Sequence, residues 1–265
     1  MRILLTLLLA IIFTAAFAAT GTTVSYTIKG EEFEGYYISS GPNAPLVFLV
    51  HDWDGLTEYE INRARMLAEH GYSVFCADMY GKGVRPTENE EKKKLARGLY
   101  ADRSRMRALL SGALAAAKAQ GAHLENAVAM GYWFGGTVVR ELARSGVEMK
   151  GFVIFRGGLV LPEEQDYPET RVQILIRHGS PDSGSIMDGF AEMPVSLESA
   201  EVQHAMLTYG GAPHVPTVYG SPGYQEEADK KGWERFIAFL AVILKQQDKK
   251  EQGSRSPLVI SFQTQ

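Results

Sequence analysis

The run Pro45–His51 reads PLVFLVH and is apolar at every position between its proline and its histidine. A strand with one wet face alternates apolar and polar residues. An unbroken apolar run therefore requires a strand covered on both faces, as in a mostly parallel sheet. Tyr72–Ala77, Ala127–Gly131, Gly151–Phe155 and Val172–His178 repeat the pattern, and Val202–Tyr209 reads as a last strand. The segments between them carry helical spacing. Glu58–His70 brings Ile61, Ala64, Met66 and Leu67 together and meets Gly71, a helix stop. Glu88–Leu99 and Arg103–Ala119 read as helices parted near Asp102, Thr137–Ser145 as one stopped by Gly146, and Gln225–Leu244 as a long final helix. Strands alternating with helices predict an α/β fold: a mostly parallel sheet with helices on both faces. Thr23–Lys29 and Phe33–Ile38, around Gly30, add an antiparallel hairpin at one edge. Functional residues in such sheets gather at the carboxyl ends of the strands.

The sequence shows no internal repeat and no domain-dividing linker, so its 265 residues predict a single domain. A net charge of -4 and a pI near 5.9 offer no basic surface for nucleic acid or anionic lipid. The domain is read as residues 19–248, followed by a polar tail, 249–265. Residues 1–18 read as a secretory leader: Met1-Arg2, an apolar run, then the small-x-small pattern Ala16-Phe17-Ala18 with cleavage after Ala18. The competing reading is a membrane anchor, but the run is at the short edge of the roughly 17–25 residues a span needs. The expected product is exported, periplasmic or secreted, without stable membrane insertion. Cys76 is the sole cysteine, so there is no internal disulfide and no lipid acceptor after the leader.

Gly131-Tyr132-Trp133-Phe134-Gly135-Gly136 has the form G-x-nucleophile-x-G-G, a tight strand-to-helix elbow. Its glycines make room where a side chain would strike the neighbouring strand or helix. The N–H of Phe134 would face an oxyanion, with a second donor from the loop His51-Asp52-Trp53-Asp54-Gly55. Asp182 follows the strand ending near His178, and His214 follows the strand ending at Tyr209. Singly, such residues are a turn aspartate and a surface histidine. In this chain order, each after a successive strand, they fit an acid and a base serving the elbow. The elbow's own nucleophile position, however, holds a tryptophan, and an indole cannot attack a carbonyl.

At this level of detail the chain resembles the dienelactone hydrolase family, from about Glu32 to Leu244. The likeness is carried by H-D-W-x-G-L at His51–Leu56, R-A-x-M-L-A-E-x-G-Y at Arg63–Tyr72, A-D-M-Y-G-K-G at Ala77–Gly83, the elbow, and H-G-S-x-D at His178–Asp182. The resemblance implies a single α/β-hydrolase domain that acts on small carboxylic esters or lactones through a Cys-His-Asp triad, without cofactor. By position, His214 is then the general base and Asp182 its orienting partner. Phe134 and Trp53 are the oxyanion donors, and Trp133 stands where the cysteine belongs. Members that hydrolyse dienelactone hold its carboxylate with an arginine at the position of Lys82 and another at that of Val218. The acid that pairs with their resting thiol is usually Glu, against Asp52 here, and Phe155-Arg156-Gly157-Gly158 replaces a common Phe-His-Gly-Gly. Dienelactone itself is thus a poor candidate substrate.

No other residue supplies the missing atom. Cys76 lies inside an apolar strand, Ser180 and Ser183 are turn hydroxyls beside Asp182, and Tyr132 should point away from its neighbour at 133. His51, His178 and His214 lack the paired spacing of a metal site, and the elbow lacks the lysine of a phosphate loop. Three readings stay open: a hydrolase by descent, one base change from a cysteine codon and severely impaired as written; an inactive pseudoenzyme binding ester-like or aromatic carboxylate ligands in the old cleft; and a scaffold kept for packing alone. The sequence leaves the oligomeric state undefined.

Overall fold

A computed structural model describes residues 20–157, 173–179, 193–209 and 224–250. Residues 1–19, Asp182, His214, Val218 and the segment 251–265 lie outside the described residues.

Strand β3 (Leu46–Val50) is buried at all five positions because parallel neighbours flank it, β4 (Ser73–Ala77) on one side and β5 (Ala127–Trp133) on the other. Beyond β5 follow, in parallel, β6 (Gly151–Gly157), β7 (Gln173–Gly179) and β8 (His204–Tyr209). On the other edge β2 (Glu31–Ile38) runs antiparallel to β4, and β1 (Thr22–Ile28) antiparallel to β2. The order β1-β2-β4-β3-β5-β6-β7-β8 makes a mostly parallel sheet of eight strands among the described residues, as the apolar runs predict.

Successive residues of a strand face opposite sides, and two cores result. Leu46, Phe48, Val50, Phe75, Ala129 and Ile154 face helices α2 (Asn89–Ala101), α3 (Arg103–Ala119) and α4 (Phe134–Arg144). Val47, Leu49, Cys76, Met130 and Val153 face α1 (Glu58–Glu69) and α6 (Glu226–Lys250). A further short helix, α5, covers 193–199 and sends Met193 and Leu197 into the first core. The sequence reading omits it, although Pro194 in its first turn and the i, i+4 pair Met193/Leu197 are helix signals. Helix α6 also runs six residues beyond Leu244, since Lys245–Lys250 contains no Gly or Pro to stop it. It is tied to α1 through Arg63, which is buried, contacts Asp229 at 2.5 Å and lies over the rings of Tyr59 and Trp233. No helix among the described residues is long and apolar enough to cross a membrane.

Candidate active site

Because β3 and β5 are adjacent and in register, with Val50 opposite Gly131, the loop after β3 and the elbow after β5 leave the sheet at the same end. The elbow is as tight as its glycines suggest. A Cβ on Gly131 would sit 2.3 Å from the carbonyl carbon of Gly135, and one on Gly135 would sit 2.4 Å from Val50 O and 2.6 Å from His51 O. Only hydrogen fits at either place. Trp133 is the hinge, at φ 52° and ψ -107°, a conformation that costs an L residue about 1–3 kcal/mol. Helix α4 begins at once at Phe134, three residues earlier than the sequence reading, because geometry at the elbow overrides the poor helix propensity of Gly135-Gly136. The turn also redirects position 133. Tyr132 and Trp133 do not separate to opposite faces: the register shifts between them, and the half-buried indole packs against the same core as Tyr132.

The backbone N–H groups of Trp53 and Phe134 converge on one oxygen. Asp52 Oδ1 accepts from Trp53 N at 2.6 Å and from Phe134 N at 3.3 Å. Part of Asp52 reaches solvent, yet the protein crowded around its carboxyl pushes its pKa well up, with the charges of Asp54 and Glu60 adding to the effect. The two N–H donors pull in the opposite sense, but burial dominates.

Residues with no assigned role in the sequence reading hold this loop. His51 is fully buried; its Nε2 accepts from Met79 N–H at 3.0 Å, so Nδ1 carries the proton and donates to the Asp52 carbonyl at 2.5 Å. Its ring stacks on Phe134 and meets Tyr80 edge-on. With both nitrogens engaged, His51 is a structural tie between the loops after β3 and β4. Arg85 donates to Leu56 O and to Val84 O, and Gly55, at φ 86°, lets the two loops touch. Glu60 completes a capping box with Thr57 and accepts from Asp52 N–H at 3.4 Å. The T-x-x-E spacing of Thr57–Glu60 was a legible signal for it.

These ties set a pH dependence. Burial pushes Glu60 from 4.5 up to about 7, so between those values the unfolded chain ionises first and stability falls as pH rises. Burial pushes His51 from 6.5 down to about 4, so below 6.5 the unfolded chain takes the proton and stability falls as pH drops. Each effect is on the order of 3 kcal/mol, and they oppose each other between pH 4.5 and 6.5. In Glu60→Gln the histidine slope is left less opposed. Its urea midpoint is expected to climb more steeply over that window than that of the native chain, and parallel profiles would contradict this.

The remaining candidates are placed as follows. Lys82, on the loop after β4, is half exposed with Nζ 3.6 Å from Glu32 Oε2, so a ligand carboxylate would compete with that glutamate for it. Trp53 packs its ring beneath Lys92. Cys76 is fully buried, and burial pushes its thiol well up, which leaves it unreactive. No group of three or more His, Cys, Asp or Glu among the described residues is placed to hold a metal ion. Strands β7 and β8, parallel to β5, end at Gly179 and Tyr209, just before the segments that contain Asp182 and His214.

Known proteins resemble this chain in sequence and fold. The chain is 24% identical over 237 residues to the "Putative carboxymethylenebutenolidase" of Salmonella typhimurium, covering 84% of this chain and 88% of that protein. A dienelactone hydrolase-like promiscuous phosphotriesterase from metagenomic libraries superposes with a TM-score of 0.76 at 26% identity, over 85% of this chain and 99% of that one. Dienelactone hydrolase from Anabaena variabilis shares the fold, with a TM-score of 0.59 at 17% identity over 83% and 98% of the two chains. The model of the dienelactone hydrolase family matches residues 33–244, and the chain belongs to that family, with the α/β-hydrolase fold.

Proposed function

We propose that this chain is a hydrolase of small carboxylic esters or lactones by descent, complete except for its nucleophile, and nearly inactive because Trp133 occupies that place. One observation carries the reading. Two backbone N–H groups from separate loops aim at a single oxygen beside a residue held at positive φ, which is the arrangement that stabilises a developing oxyanion. In the intact site a thiol at 133 would give its proton to His214, oriented by Asp182. The thiolate would then attack the carbonyl carbon, with the oxyanion held by the Trp53 and Phe134 N–H groups. The alkoxide would leave with the proton from His214, and water would hydrolyse the thioester. A carboxymethylenebutenolidase is named for an unsaturated lactone, so small lactones join activated aryl esters as test substrates, with an aryl phosphotriester in view of the metagenomic relative.

The test compares the native chain with Trp133→Cys on this panel. Negligible turnover in the first and clear turnover in the second are expected; equal rates would sink the reading. In that event the second reading gains ground, a pseudoenzyme whose half-buried Trp133 stacks on aromatic carboxylates. Its signature is a fluorescence response lost in Trp133→Ala. We read residues 1–18 as a leader that exports the protein, so N-terminal sequencing of the mature chain is expected to find Ala19 first. A mature chain that still begins at Met1 would rule out this cleavage.

A further inference from the structure

Asp52 is more than a neighbour of the oxyanion donors. Its Oδ1 already occupies the point on which both converge, 2.6 Å from Trp53 N and 3.3 Å from Phe134 N. A substrate carbonyl or product carboxylate needs those two N–H groups, and both cannot be served at once. We propose that the two N–H groups form a carboxyl-binding site whose resident ligand is the chain's own Asp52, so that substrates and short free carboxylates enter only when this side chain rotates out. The inference rests on the reading of Trp53 and Phe134 as oxyanion donors given above, and it adds to that reading an internal competitor.

The covalent geometry favours the resident. An aspartate has a single methylene between backbone and carboxyl, so its oxygens stay close to its own chain, and the N–H of the following residue is the nearest donor. His51 Nδ1–H holds the Asp52 carbonyl, and Glu60 takes the Asp52 N–H, so the backbone that carries the side chain is fixed at both ends. Phe134 N–H, at the first residue of α4, adds the positive end of an eleven-residue helix. An external carboxylate meets a tethered competitor at high effective concentration. Hydrogen bonds to a charged partner are among the stronger ones in a protein, so freeing even one of the two donors should raise the affinity for a carboxylate by at least about tenfold.

Acetate is the probe, read by the amide signals of Trp53 and Phe134 in ¹⁵N-labelled full-length protein. In the native chain neither signal is expected to move saturably with acetate. In Asp52→Ala both should move, with an affinity at least about tenfold higher. Asp52→Asn keeps an acceptor oxygen in place and should behave as the native chain does. Saturable acetate shifts in the native chain, or equal affinity in the Asn and Ala variants, would overturn the proposal. If Asp52→Ala does not fold, Asp52→Ser serves the same purpose, and the native-chain titration stands by itself. Failure here is separable from failure of the hydrolase reading: Trp133→Cys turnover reports on the second alone, and acetate binding in the Trp133 chain reports on the first alone.

Discussion

Gly135→Ala is expected to remove most of the folded protein, while Gly98→Ala in the same chain is expected to stabilise it slightly. The added methyl at Gly135 would meet Val50 O at 2.4 Å, His51 O at 2.6 Å and Val50 C at 3.0 Å. All three are backbone atoms at the end of β3, a strand paired on both sides, and none can swing away as a side-chain tip can. Overpacking by one methyl in a yielding core costs about 1–3 kcal/mol, and a clash with fixed backbone costs more. A loss of about 4 kcal/mol would lower the melting temperature by roughly 10 °C or more in a domain of this size. Gly98 lies on the exposed face of helix α2 with nothing within 4 Å of the added methyl, so alanine there gains about 0.5–1 kcal/mol from helix propensity alone. Thermal unfolding of the two variants checks both. Similar melting points would mean that the elbow is looser than its distances state.

Trp133→Cys is expected to raise aryl-ester turnover by about 10³- to 10⁶-fold. The upper bound is what loss of the nucleophile costs in triad hydrolases, where the oxyanion hole and binding alone leave about 10³–10⁴ over water. In the mechanism proposed above His214 is the base, so His214→Ala in the Trp133→Cys chain should abolish the gain. If Asp52 sits in the hole as proposed, part of the gain is withheld, and Asp52→Ser should release it. The exchange has a structural cost. The half-buried indole packs against the core on the α1 side, and removing its volume should destabilise the chain by about 1–3 kcal/mol, without relief of the strain at φ 52°. Higher activity with lower stability, in one variant, separates this account from one in which Trp133 serves only packing.

What the sequence made legible follows from which forces act locally. The run Leu46–Val50 revealed a doubly covered strand because burial of every residue leaves no polar alternation, and Gly71 marked the end of α1, where it takes φ 87°. The elbow's glycines were readable because a steric need has one residue that answers it. Less readable was anything set by the meeting of distant segments. Asp52 reaches Phe134 across 82 residues only because β3 and β5 are neighbours, and no local pattern reports that pairing. In the sequence His51 is only a histidine without the paired spacing of a metal site, whereas its two ring nitrogens are consumed by backbone groups of two loops. Helix α4 began early for the same reason, since tertiary packing of Gly135 against β3 outweighs the helix propensity of glycine.

In the proposed reading the site lacks its nucleophilic group and nothing else, so the decisive experiment mixes Trp133→Cys with an excess of a p-nitrophenyl ester and follows both the first turnover and the mass of the protein. A burst of nitrophenol matching the amount of enzyme and a transient acyl group on the introduced thiol are expected, with neither in the native chain. A folded Trp133→Cys protein that shows no burst and carries no acyl group would contradict that reading.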